Sequence, residues 1–218
     1  MPGKYTIKPD IDNGIYHVFN RGVEKRPIFL DSMDEGVFLS YLQTYLLPKD
    51  EKQLRQFLTD PSVSSKQKDR ILRELQLNNF AKKITLLAYC LMPNHFHFLL
   101  EQKQAGFMEE FIRSLSVRYV MYFNKKYRRL GGLFQGVYRG VLVERDDYFL
   151  HLTRYIHQQA RGRPSSYGDY LGLTKTAWVH PERILELLRT AYPGTSYAQF
   201  MGEPKDFSFI QPFLLDDD

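Results

Sequence analysis

Apolar and polar positions along the chain change period several times, and each change marks an element. Ile15-Tyr-His-Val-Phe-Asn20 is dense in β-branched and aromatic residues and stops at Arg21-Gly22, which predicts a strand and a turn. Pro27-Ile-Phe-Leu30 reads as a short extended piece. Asp31 or Ser32 then caps a helix whose Val37, Phe38, Tyr41, Leu42, Tyr45 and Leu46 recur at helical spacing. Over 48–80 the chain turns charged and polar, with Leu54, Phe57 and Leu58 marking one helix and Ile71, Leu72 and Leu75 another, so a helical hairpin is inserted here. It serves either as a solvated excursion or as a substrate-contacting arm. A long apolar strand over 84–92, a Pro93-Asn94 turn and a strand to Gln102 form a hairpin. An amphipathic helix follows over 107–127, with Phe111, Leu115, Tyr119 and Tyr122 on one face. Gly131-Gly132 ends that region, a strand is predicted over 138–144, and Asp146 caps a helix running to about Ala160. The remainder is loop and short helix, notably 181–188, and closes on Asp216-Asp-Asp218. Strands grouped in hairpins rather than regular βαβ units predict an α+β fold, an antiparallel sheet with helices packed on one face.

Composition narrows the function classes. The 218 residues, 43% apolar and 15% aromatic, suit one embellished domain and exclude wholesale disorder. A net charge of +5 makes an anionic partner an open option without identifying it. The single cysteine, Cys90, excludes an internal disulfide framework and any cysteine-rich zinc site, and its apolar surroundings mark a small buried hydrophobe. No apolar run approaches the roughly 20 residues that span a bilayer, and the amino terminus lacks a signal-peptide core. A soluble, cytoplasmic protein with no membrane partner is the expectation.

The chemistry concentrates at His95-Phe96-His97. On a strand, residues two apart share a face, so both imidazoles would meet one metal ion while Phe96, Phe98 and Leu100 pack behind. Two histidines rarely hold a divalent ion alone. The late helix offers a third group, because four-residue spacing sets His151, Tyr155 and Gln159 in one row beside the apolar stripe of Phe149, Leu152 and Ile156. A phenol beside an amide oxygen could act as a nucleophile next to a metal ligand. Arg113, Arg118, Lys125, Lys126, Arg128 and Arg129 form a basic helix and exit loop interleaved with aromatics, a surface suited to phosphates and stacked bases, though also to plain solvation.

Tyr16-His-Val-Phe-Asn-Arg-Gly22, Ala88-Tyr-Cys-Leu-Met-Pro-Asn-His-Phe-His-Phe-Leu-Leu100, Tyr122-Phe-Asn-Lys-Lys-Tyr127, Leu133-Phe-Gln-Gly-Val-Tyr-Arg139 and Arg154-Tyr-Ile-His157 occur in that order. Together they resemble the single-tyrosine HUH transposases of small insertion sequences, and within them the REP-associated tyrosine transposases. The resemblance runs from about Tyr16 to Gly172. It implies a ferredoxin-like sheet with the HUH motif on a central strand and the catalytic tyrosine on a late helix. The transposase domain is thus expected over 1–172, with the insertion at about 48–80, and a helical extension and acidic tail over 173–218.

Carried over residue by residue, the resemblance implies that His95 and His97 bind a divalent ion, Mg²⁺ or Mn²⁺, and that Gln159 completes the site. Tyr155 would attack a DNA phosphodiester, giving a 5′-phosphotyrosine and a free 3′-OH. Many REP-associated members carry Asn-Pro where this chain has Gln159-Ala160. Arg21 and Arg139 become further phosphate candidates. The implied partner is single-stranded DNA with hairpin or palindromic structure, bound by one chain or by a homodimer. Two other readings stay open: a domesticated hairpin-binding module for DNA or RNA without cleavage, and an unrelated metallohydrolase using Glu101 as a carboxylate ligand.

Overall fold

A computed structural model describes residues 10–160 and 162–203 of the chain. Its centre is a four-stranded, wholly antiparallel sheet of β1 (Ile15–Arg21), β2 (Ile84–Met92), β3 (His95–Gln102) and β4 (Arg139–Leu142), in the order β2-β3-β1-β4. Helices α1 (Ser32–Leu46) and α4 (Phe107–Tyr127) join these strands in the βαββαβ sequence of a ferredoxin-like fold, and the His-x-His strand is central. Helices α2 (Glu51–Thr59) and α3 (Ser65–Gln76) make up the segment inserted between α1 and β2. Neither buries a residue fully, and Phe57 and Leu72 stay exposed. The base of this hairpin is closed by Lys49, whose Nζ donates to the Leu75 and Leu77 carbonyls at 3.1 and 2.8 Å.

One sheet face follows the alternation read from the sequence. Tyr16 and Val18 of β1 and Phe96, Phe98 and Leu100 of β3 pack against Phe38, Leu42 and Tyr45 of α1 and Phe111, Leu115 and Tyr119 of α4. Asp31 caps α1 by accepting from the Asp34 N–H at 3.0 Å. Asp34, fully buried, accepts from the Leu30 N–H, the Tyr122 and Tyr127 hydroxyls and Lys126 Nζ at 2.7–2.9 Å, which ties the start of α1 to the end of α4. Burial alone would raise its pKa, but these donors prevail and hold the carboxyl below its ordinary value. Asp34→Ala therefore leaves several polar groups without their acceptor. A loss of about 2–3 kcal/mol is expected, read as a lower urea midpoint at unchanged m.

The other face is covered too, which corrects the expectation of helices on one face only. Helix α5 (Asp146–Ala160) lies across it, with α6 (Tyr167–Tyr170), α7 (Glu182–Ala191) and α8 (Tyr197–Gly202) outside. Ile15, Ala88, Cys90 and Leu99 of the sheet form a second core with Leu152 and Ile156 of α5, Ile184 and Leu188 of α7, and Tyr197 and Phe200 of α8. A β-bulge between Leu86 and Ala88 makes this possible. It shifts the parity of β2, so that Tyr89 and Leu91 face α1 and α4 while the small Ala88 and Cys90 lie beneath α5. Short side chains there let the helix approach the sheet closely.

The open edge of β2 is closed by backbone bonds, Leu91 N–H to the Pro164 carbonyl and His180 N–H to the Leu86 carbonyl, both at 2.9 Å. The expected C-terminal extension thus contributes to the second core through α7 and α8, while the acidic Asp216–Asp218 tail lies outside the described residues. No helix among the described residues is long and apolar enough to cross a membrane.

Candidate active site

The site forms where β3 and β1 run side by side beneath α5. The Pro93-Asn94 turn that opens β3 is held by Gly22 N–H on the Asn94 carbonyl at 2.8 Å and by Ile28 N–H on the Pro93 carbonyl at 2.7 Å. Strand register sets His97 opposite Phe19 and His95 opposite Arg21. His95, His97, His17, Phe19 and Arg21 therefore share the face that α5 covers. The His95 and His97 rings lie 4.9 Å apart at right angles. His95 Nδ1 is 2.6 Å from Asn94 Oδ1, an acceptor, so that nitrogen carries a proton.

His97 has no exposed surface, and burial followed by the neighbouring His17 and His95 holds its pKa well below the ordinary value. It is neutral at physiological pH. Its Nδ1 shares a hydrogen with His17 Nε2 at 2.9 Å, and its Nε2 is buried without a hydrogen-bond partner. An orphaned imidazole nitrogen in the interior is unusual, and a metal ion is one partner that would satisfy it.

Tyr155 of α5 stands over this pair. Its ring meets His97 edge-on at 5.6 Å and His17 at 6.3 Å, and it is 5% exposed. Gln159, one turn further, is half-buried. His151, in the same row one turn earlier, turns instead toward Arg154, at 2.9 Å, and the Phe200 ring. Cys90 lies opposite His97 on β2, but burial pushes its thiol up to about 12, so it offers no thiolate. Among the described residues, no group of three or more His, Cys, Asp or Glu is placed to hold a metal ion. Glu101 is engaged by Lys103 at 2.7 Å and Arg183 at 3.6 Å at the far end of β3.

The basic residues divide between the two faces. Arg21 and Arg139 line one pocket beside the histidines with Phe19, Asn20, Gln135 and Val137, and Arg21 Nε is buried there without a partner. The α4 group lies across the sheet from Tyr155. Arg113, Lys125 and Arg128 are exposed, Arg118 stacks on Tyr41 at 3.9 Å, and Arg129 sits over Phe123 at 5.6 Å. Lys126 bonds Asp31 and Asp34 at 2.7 Å, so its charge is already matched. The other tyrosines of α4 are also occupied: Tyr119 donates to the Ile28 carbonyl at 2.6 Å, and Tyr122 and Tyr127 donate to Asp34.

Two features were not read from the sequence. His17 sits in the first motif block, but its place beside His97 depends on strand register, which the linear pattern does not reveal. His157 joins Tyr197 Oη at 2.7 Å and Ser166 Oγ at 2.8 Å, fastening α8 and the 164–166 segment to α5. Burial lowers its pKa to about 3 from 6.5. The unfolded chain then binds one proton more than the folded one between these values. The resulting stability is complete above pH 6.5 and lost as pH falls toward 3, by about 1.4 kcal/mol per unit. Urea midpoints taken across that range should show this slope, and His157→Gln should remove about one proton of it.

The family model for "Transposase IS200 like" matches residues 38–159, more than half of the chain. The protein belongs to that family of transposases. No curated protein matches it in sequence. Among solved structures, it is similar to a REP-associated tyrosine transposase bound to a REP hairpin, at 12% identity over 80% of this chain and 96% of that one, TM-score 0.44. It is also similar to a protein from Deinococcus radiodurans R1 classed as a transposase, at 15% identity over 71% of this chain and 97% of that one, TM-score 0.28.

Proposed function

We propose that this transposase nicks and rejoins single-stranded DNA through a covalent intermediate on Tyr155. The observation that carries the reading is the Tyr155 ring set against His97, whose buried Nε2 has no partner. Family membership supplies the reaction class, and the site supplies residues suited to it. The phenol oxygen of Tyr155 attacks phosphorus, the bond from phosphorus to O3′ breaks, and the phenol proton ends on the departing 3′ oxygen. The products are a 5′-phosphotyrosine and a free 3′-OH. The phosphodiester is conserved in the link, so a second 3′-OH reverses the step and joins strands without a nucleotide cofactor.

His95, His97 and Gln159 are the residues that would hold a divalent ion, Mg²⁺ or Mn²⁺. Their donor set fits, with a neutral His97 imidazole whose Nε2 has no partner, a second imidazole held through its Nδ1 by Asn94, and an amide side chain one helical turn beyond the nucleophile. Such an ion, when bound, supplies Lewis-acid stabilisation of charge on the phosphate oxygens. Arg21 and Arg139, in the pocket next to His95, are suited to the flanking phosphate, with the exposed Arg113, Lys125 and Arg128 available to a more distant stretch of DNA. A substrate with a hairpin or palindrome is the reading the family favours.

Incubation with single-stranded hairpin oligonucleotides and Mn²⁺ tests this. A protein–DNA adduct stable on a denaturing gel is the expected result. Binding without any adduct would favour a hairpin-binding module instead.

A further inference from the structure

We infer that His17 is a positioning residue that fixes the tautomer and orientation of His97, so that His97 presents its Nε2 lone pair to a divalent ion. The inference rests on the metal reading of the histidine pair. His17 lies on β1, which hydrogen-bonds directly to β3, and it has no exposed surface. Its Nε2 is 2.9 Å from His97 Nδ1, with ring centroids 5.0 Å apart and planes 16° from parallel. At that separation the rings meet nearly edge to edge, so the shared hydrogen lies close to both ring planes, the arrangement a strong N–H···N bond requires.

Only two neutral arrangements of the pair make this bond. If His17 donates, His97 carries its own proton on Nε2, and a buried N–H points at nothing. If His97 donates from Nδ1, the buried Nε2 of this ring packed against Tyr155 bears a lone pair, and a cation can complete it. The second arrangement alone makes His97 a ligand. It also gives the ligand's other nitrogen an acceptor, which fixes the ring and raises its basicity. A strand position that would ordinarily take an apolar residue over the α5 core is occupied instead by the one imidazole that can do this. His95 is served in the same way by Asn94 Oδ1, so each histidine of the motif has its own outer partner.

The test uses the full chain without DNA. In metal-free wild type, ¹⁵N spectra of the histidine rings should show His97 protonated at Nδ1 with a pyridine-like Nε2. Mn²⁺ affinity, measured by calorimetry on the protein and Mn²⁺ alone, should fall about 10–100-fold in His17→Phe. It should recover most of that loss in His17→Gln, whose amide oxygen reaches the place of the missing Nε2. Thermal melts of both variants without metal show whether each is folded, and the glutamine variant serves if phenylalanine is not tolerated.

A His97 ring protonated at Nε2 in the wild type would overturn the inference, as would Mn²⁺ affinity within twofold of wild type in both variants. If the wild type takes up no Mn²⁺, the metal reading fails by itself. The ring spectra would then still decide whether His17 sets the tautomer.

Discussion

Tyr155→Phe abolishes the protein–DNA adduct and leaves hairpin binding within a few-fold of wild type. The substitution removes one oxygen and nothing else. Tyr155 is 5% exposed and its ring packs against His97 and His17 from a helix seated on the second core, so phenylalanine fills the same space without a cavity. Losing the only attacking atom should reduce adduct formation by at least about a thousandfold, because no neighbouring group can replace a covalent nucleophile. The tyrosines of α4 cannot substitute. They lie across the sheet, and Tyr119, Tyr122 and Tyr127 are bound to the Ile28 carbonyl and to Asp34. Burial also drives the Tyr119 phenol far above its ordinary pKa. Binding persists because the basic residues available to phosphates, Arg21, Arg139 and the exposed cations of α4, are untouched. A denaturing gel read beside a filter-binding or anisotropy titration separates the two effects, and an undiminished adduct would remove Tyr155 from the mechanism.

His97→Asn is the second large effect. Asparagine places its amide near the position of Nδ1, so it can still donate to His17 and spare that buried nitrogen an unmatched lone pair. It cannot reach where Nε2 stands. Adduct formation in Mn²⁺ should fall at least about a hundredfold. A second readout needs no DNA. An ion at a hundred times its dissociation constant stabilises the fold by about 2.7 kcal/mol, which for a chain of this size is about 5–10 °C in Tm. Wild type should show that rise on adding Mn²⁺ and His97→Asn should not. A variant that melts at an equal temperature with and without Mn²⁺, yet still forms the adduct at the wild-type rate, would separate metal binding at His97 from adduct formation.

Much of this arrangement was legible in the linear pattern because it rests on local periodicity. Alternation along 95–102 set His95 and His97 on one face, Pro93-Asn94 announced the hairpin, and four-residue spacing put Tyr155 and Gln159 on one side of α5. What the pattern concealed depends on contacts between elements. The near-continuous apolar run of β2 is what a strand buried on both faces looks like, and it accompanies the second helical layer that a one-sided sandwich omits. The bulge at Leu86/Ala88, which puts small residues beneath α5, leaves no signature in the residues themselves. His17 needed the β1/β3 register, and His157 needed partners 9 and 40 positions away. Charge was the weakest guide. Lys126 carries the expected sign but is matched by Asp31 and Asp34, and Arg118 is spread over Tyr41 rather than held toward solvent.

The central chemical claim is that the phenol oxygen of Tyr155 becomes bonded to a 5′-phosphate. It is tested most directly by trapping the adduct formed with a hairpin oligonucleotide and Mn²⁺, digesting the DNA to a short remnant, and sequencing the tryptic peptides by mass spectrometry. The remnant is expected on the peptide that ends at Arg161, with fragment ions placing the added phosphate and nucleoside on Tyr155. A remnant on any other residue, whether Tyr138, Tyr148 or a tyrosine of α4, would contradict it.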